Sequence, residues 1–289
     1  MDLSFAFLNK PGGFALSEGW LVVNGLNPYW QVFLSGLLNT LKVAFPAAFL
    51  ALLLGLLSGV GQGAANPAWR GVARLHVDVF RNTPLLVQLL GWYFAITALL
   101  PLAHTPWALH GGVYLSKSGL ALPALHWSGS WFEPVLVWPV VGRFSVEGGW
   151  VLSPEFLAVW LALSVYTSAY VAGVVQAGLA SVPQGQRQAA LALGLRPVQA
   201  FTQVVLPQAF RAMVPPLANQ WLNLLKNASL GVVVGYPELV SVSNTALNQS
   251  GRVVECVLLV MVLYGALSLF STGLLNAWNR RLLRRGQHA

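Results

Sequence analysis

Asn219, Gln220, Asn223, Lys226 and Asn227 put five polar side chains within nine residues of an otherwise apolar stretch. Primary amides donate and accept, and an ammonium donates with charge, so the group can hold a small solute carrying both kinds of function. In a helix, positions 219, 223, 226 and 227 share one face, with Gln220 beside it. Against hydrocarbon such a stripe would be costly. It therefore either bonds to neighbouring helices and holds them together, or it lines a polar path. Pro215 and Pro216, just upstream, favour the path because they can open the helix there. Lys42, on the first apolar stretch, would add a second cation to the path, unless it only snorkels to water.

Other chemistries find little support. His104, His110 and His126 have no compact ligand spacing, and Cys256 is the single cysteine, so neither a metal centre nor a disulfide framework is expected. No Gly-x4-Gly-Lys-Ser/Thr phosphate loop occurs, so the chain is expected to bind no nucleotide itself. A membrane-embedded enzyme would need convergent nucleophiles, acids or metal ligands at membrane depth, and the apolar stretches offer few. Ion-coupled secondary transporters and channels often carry internal repeats and intramembrane carboxylates. Here no repeat is visible, and Glu255 sits at the end of an apolar stretch.

The elements that must position these residues follow from composition. Hydrophobic residues make up 56% of the 289 and charged residues only 8%, far below the roughly 25% charge of a soluble domain. Mean hydropathy is +0.64. A water-soluble globule and a disordered chain are both excluded. A spanning helix needs about 20 mostly apolar residues. The stretches free of Asp, Glu, Lys and Arg place four helices near 34–60, 83–100, 155–178 and 256–278. A fifth, near 208–234, is interrupted by Arg211, Pro215, Pro216, Lys226 and Gly235. Fold class is thus an all-α membrane protein of about five spans. The N-terminus lacks the basic region of a signal peptide, so 1–29 reads as a retained external segment ahead of a membrane domain over 30–285, with 286–289 a tail.

Cations set the orientation. One set of loops holds Arg70, Arg74, Arg81, Arg187, Arg196, Arg211, Arg280, Arg281, Arg284 and Arg285; the other holds Lys10, Lys117, Arg143 and Arg252. The first side is expected to be cytoplasmic, with the N-terminus outside and the C-terminus inside. Asp2, Glu18, Glu133 and Glu147 then fall outside. The net charge of +8 reports this asymmetry rather than a nucleic-acid partner.

Two loops stand out. Residues 101–153 form an external insert rich in tryptophan (107, 127, 131, 138, 150) and proline (101, 106, 123, 134, 139). Tryptophan favours membrane interfaces and protein interfaces alike, so the insert is either a cap on the headgroups or a docking surface. The inner loop, 179–206, is expected to start a helix after Ser181 and Pro183, run it over 184–193, stop at Gly194 and start a second short helix at Pro197. Ala189, Ala190 and Ala192 give a small-residue face suited to close protein packing.

The residues of this loop, Gln188-Ala189-Ala190, Gly194 and Leu206-Pro207, resemble the EAA loop of binding-protein-dependent ABC importers. Phe80-Arg81-Asn82-Thr83-Pro84-Leu85-Leu86-Val87-Gln88, Tyr166-Thr167-Ser168-Ala169-Tyr170-Val171-Ala172 and Leu225-Lys226-Asn227-Ala228-Ser229-Leu230 resemble three signatures of the polar amino-acid permeases. Gly235-Tyr236-Pro237-Glu238-Leu239-Val240-Ser241-Val242 and Leu247–Gly251 are similar to the general L-amino-acid subgroup in particular. The likeness covers about 30–100 and 154–280. It implies the type I ABC importer permease fold and no enzyme activity in this chain. It also implies a second permease chain, two ATPase subunits that bind ATP and magnesium, and a periplasmic amino-acid-binding protein, all at a bacterial inner membrane. Gln184, Gln188, Ala189, Ala190, Gly194, Leu195 and Arg196 are then the ATPase-coupling residues. Gln220, Asn223, Asn219, Lys226, Lys42 and Thr167 are the substrate-path set. A neutral amide at 220 beside Lys226 favours acidic or neutral polar amino acids. Three positions depart from the family pattern: Gln188 replaces a usual Glu, and Gly173 and Gln176 stand where Glu and Arg are usual. Losing both charges one helical turn apart suggests one half of an unlike permease pair.

Overall fold

Apolar length sets the frame. In the computed structural model, which describes residues 3–127, 134–143 and 145–285, three helices are long and apolar enough to cross a membrane: Tyr29–Gly61, Pro154–Ala180 and Val253–Ala277. They are α1 (Tyr29–Gly61), α4 (Pro154–Ala180) and the apolar part of α9 (Val253–Arg285). Trp131, Glu133 and the 286–289 tail lie outside the described residues. α1 and α4 share the most extensive helix–helix contact. Gly55 and Gly59, four residues apart on α1, sit against Val171 and Val175 of α4; a Cβ at Gly59 would stand 2.6 Å from the Val175 Cβ. Small residues at this spacing let two backbones approach closely.

The expected second span is a broken one. α2 (Pro67–Asn82) starts on Pro67, with Asn66 accepting from the Ala68 and Trp69 N–H groups. It is amphipathic, and its polar face breaks the apolar run, so apolar length alone does not reveal it as a helix. α3 (Leu85–Leu99) has 15 residues, about 22 Å, short of the roughly 30 Å hydrocarbon core. Pro84 cannot continue the ladder, and carbonyls at the end of α2 lose their helical donors. Gln88 supplies a substitute: its Nε2 donates to Phe80 O and Thr83 O, both at 2.9 Å. The Phe80–Gln88 motif is thus a break and its clasp.

The insert is folded as strands. β1 (Trp107–Leu109), β2 (Val113–Ser116), β3 (Gly119–Leu122) and β8 (Trp150–Leu152) form an antiparallel sheet in the order β1-β2-β3-β8. β4 (Ala124–Trp127) pairs with β5 (Pro134–Val137), and β6 (Val140–Val141) with β7 (Val146–Glu147). Gly111 and Gly112, both at positive φ, turn β1 into β2. β8 leads into α4, whose N-cap Ser153 accepts from the Phe156 N–H at 2.9 Å.

Lys42 belongs to this end of the molecule, which corrects its expected place on the substrate path. It is buried, 3.4 Å from Glu18 of the N-terminal segment, and lies over the rings of Trp150 and Phe156. Glu18 also accepts from the Ser153 hydroxyl at 3.0 Å. A buried ammonium needs a partner, and the strap of 10–28 folds back over α1 to provide one.

The polypeptide after the fifth apolar stretch is anchored in the same way. α7 (Leu206–Asn227) continues as a 3-10 turn, Ala228–Val234, then reverses at Gly235, φ +82. The Tyr236 hydroxyl donates to Asn39 O at 2.9 Å, and Asn39 donates to Pro237 O at 2.9 Å. Glu238, fully buried, caps α8 (Leu239–Ser250) by accepting from the Val240 and Ser241 N–H groups. Desolvation raises its carboxyl to about 7, against the pull of those two bonds. The Gly235–Val242 motif therefore serves to dock α8 on α1.

Candidate functional site

α4 and α7 face each other along the bundle, and the polar stripe lies between them. Gln220, Asn223, Lys226 and Asn227 from α7 meet Tyr166, Thr167 and Tyr170 from α4 around a cavity of about 410 Å³. The Tyr166 hydroxyl donates to the Tyr170 hydroxyl at 3.2 Å. Spacings of 220, 223 and 227 follow the helical rule, so the lining face is centred one position from where periodicity put it. Asn219 is exposed and outside the lining, which corrects its expected place there. Gln220 lines the cavity instead.

A second cavity, about 360 Å³, shares Tyr170 and Gln220 with the first and continues toward the far end of α4. Arg81 opens into it with its guanidinium 5.2 Å from the Tyr170 ring centre. In the sequence Arg81 is one of the loop cations, because nothing local shows that α2 leans on α4. Pro216 and Ala212 also line this cavity. Pro216 has no N–H, so the Ala212 carbonyl four residues back loses its helical donor. The helix itself runs unbroken through both prolines. Among the described residues no group of His, Cys, Asp and Glu could hold a metal ion.

The 179–206 loop lies at the opposite end of the bundle from the insert, since α4 begins at the one and ends at the other. α5 covers Gln184–Ala192. Ser181 closes α4, donating to Gly178 O at 2.7 Å, rather than opening α5. Gly194 has φ +84; its N–H bonds Leu191 O at 3.0 Å, and the Leu195 N–H bonds Ala190 O at 3.2 Å. These two bonds are the Schellman pattern, which wants glycine at the left-handed position. Gln184, Gln188, Ala189 and Arg196 are exposed, while Ala190 is buried and Leu195 half-buried, so those two pack within the loop. Leu193 is 84% exposed at the tip. The second short helix is not separate: α6 (Pro197–Gln199) passes through a π-helical turn, Ala200–Val205, directly into α7.

Comparisons with known proteins agree with this arrangement. Residues 51–285 match the family model "Binding-protein-dependent transport system inner membrane component". The chain is 33% identical, over 96% of its own length and 83% of the relative's, to the general L-amino acid transport system permease protein AapQ of Rhizobium johnstonii. It is 29% identical to the glutamate/aspartate import permease protein GltJ of Escherichia coli, over 82% and 81%. Among solved structures, an amino acid ABC transporter crystallised with histidines superposes with a TM-score of 0.65 at 26% identity, over 88% of this chain and 95% of that one. The inward-facing MetNI methionine ABC transporter shares the fold, with a TM-score of 0.60 at 19% identity, over 87% and 96%. With its apolar helices, its clasped helix break and its polar cavity between α4 and α7, the chain belongs to the inner-membrane permease components of binding-protein-dependent ABC transport systems.

Proposed function

We propose that this chain conducts amino acids, with acidic and neutral polar side chains preferred, through the cavity between α4 and α7. The observation that carries this reading is the convergence of Tyr166, Thr167, Tyr170, Gln220, Asn223, Lys226 and Asn227 on one space. An amino acid presents an ammonium and a carboxylate, and hydroxyls, amides and a lysine supply acceptors and donors for both. Lys226 adds a positive charge that disfavours cationic side chains. The relatives named for glutamate and aspartate import fit the same preference.

The chain works with a second permease, two ATPase subunits that carry ATP and magnesium, and a periplasmic binding protein. Gly173 and Gln176 in place of a usual charged pair support an unlike permease partner. α5 docks on an ATPase, and closure of the ATPases moves it. Because α6, the π turn and α7 are continuous, that motion reaches the residues lining the cavity; a π turn is a frequent functional irregularity. The bundle then alternates between outward and inward openings.

Transport by the assembled complex with saturating loaded binding protein tests the path. Gln220→Ala and Asn223→Ala each remove hydrogen-bonding groups worth about 1 kcal/mol, so uptake rates across a panel of amino acids should change roughly three- to tenfold, unequally among substrates. An unchanged panel would make these residues structural.

The membrane domain spans with the N-terminus and the 101–153 insert outside and α5 inside, as the cation asymmetry supports. α2 with α3 completes a crossing that α3 alone does not, and α7 with its 3-10 extension provides another. Cysteines at Asn9 and Gly111 should react with an impermeant thiol reagent on intact cells, and one at Gly185 only after permeabilisation. Reaction of Gly185→Cys in intact cells would invert this topology.

A further inference from the structure

The geometry points to a carboxylate subsite at Arg81, held open by Gly173, which makes the path selective for amino acids with an acidic side chain. This rests on the reading of the α4–α7 cavity as the substrate path. Arg81 projects from the end of α2 into the second cavity, its guanidinium over the Tyr170 ring. Neither ion pair among the described residues includes it. Opposite stands Gly173: a Cβ there would lie 3.2 Å from the Arg81 Nη2 and 3.7 Å from its Cζ. Any side chain at 173 would occupy the space in front of the guanidinium, and an acidic one would pair with it. Glycine leaves that face of Arg81 open to the cavity.

Tyr170 and Gln220 line both cavities, so the two spaces adjoin at these side chains. Tyr166 in the first and Gly173 in the second are seven residues apart on α4, about 10 Å along its axis. Lys226 lines the one and Arg81 the other, and neither described lining contains an Asp or Glu. The two adjoining spaces therefore carry two formal positive charges flanking neutral hydroxyls and amides. A zwitterion offers one carboxylate and cancels it with its ammonium. A dicarboxylic amino acid offers a second carboxylate, and the planar guanidinium fork suits it in bidentate fashion. The Ala212 carbonyl, left without a helical donor, and the tyrosine hydroxyls are acceptors for the ammonium.

The test is binding of radiolabelled glutamate and glutamine to the purified, assembled transporter without its binding protein, with uptake rates at saturating loaded binding protein alongside. Arg81→Gln should lower the glutamate-to-glutamine affinity ratio by about tenfold or more, the scale of one charge-assisted bond. Gly173→Glu should do the same with Arg81 in place, by pairing with it, and Gly173→Gln, of equal size, should lower the ratio less. Equal losses for both amino acids in Arg81→Gln, or equal ratios for Gly173→Glu and Gly173→Gln, would overturn the subsite. If Arg81→Gln fails to assemble by size-exclusion chromatography, the Gly173 pair decides alone. Wild-type ratios in the Arg81 and Gly173 variants, with changed binding in Gln220→Ala and Asn223→Ala, would refute the subsite and keep the path. No change in any variant would remove both.

Discussion

A transporter carrying Gly194→Arg is expected to insert and assemble its membrane part but to lose uptake by roughly 30-fold or more, the scale of a broken contact at the centre of a docking surface. Gly194 closes α5 at φ +84 through the Gly194–Leu191 and Leu195–Ala190 backbone bonds. A residue with a Cβ costs about 1–2 kcal/mol in this conformation. Beyond its chain neighbours, a Cβ at Gly194 meets no atom within 4 Å, so internal crowding does not contribute. Arginine instead projects from the exposed tip, beside Leu193, into the space a partner would occupy. Gly194→Ala carries only the backbone cost and should keep part of the activity. ATPase stimulation by loaded binding protein and amino-acid uptake are the measurements. Normal uptake by Gly194→Arg would remove the 184–196 loop from the coupling role. Gln188, exposed on α5, is expected to matter less, since an amide forms a weaker bond than a carboxylate.

The Gly55→Leu, Gly59→Leu double variant should fail to yield a folded monomer in detergent. A Cβ at Gly55 overlaps Val171, and one at Gly59 meets Val175 at 2.6 Å and Ala172 O at 2.9 Å. α1 and α4 would have to separate along the face that buries Ala44, Ala47 and Ala51 with Ala158 and Ala162. Overpacking costs about 1–3 kcal/mol per site, and the two sites lie on one seam, so the sum approaches the 5–15 kcal/mol of a whole domain. Gly91→Leu on α3 is the control, because a Cβ there meets nothing within 4 Å. Size-exclusion profiles and thermal unfolding in detergent separate the cases. A double variant with the wild-type profile would show that α1 and α4 do not depend on this approach.

Much of the architecture was legible because apolar length is a local property. The spans expected near 34–60, 155–178 and 256–278 are α1, α4 and α9; α1 and α4 run a few residues longer and α9 ten. The helix over 184–193 and its glycine stop were also legible, since propensity and the left-handed cap act within a few residues. Strands in the insert were not: they are two to four residues long, and alternation over so few positions vanishes in a chain this apolar. The Gly55–Gly59 spacing was present as a signal for close helix contact, but its partner on α4 was not.

Membrane class, cation asymmetry, the family resemblance, the helix after Pro183 with its glycine stop and the polar stripe on α7 are all legible in the sequence. Each is set by composition or by periodicity within a turn or two. The packed bundle alone settles which polar residue faces which. It took Lys42 to Glu18, left Asn219 outside the cavity in favour of Gln220, and brought Arg81 against Gly173, 92 positions away in the chain. Those pairings depend on how α2, α4 and α7 lean on one another, and that lean is fixed by packing summed over whole helix faces rather than by any short stretch of chain.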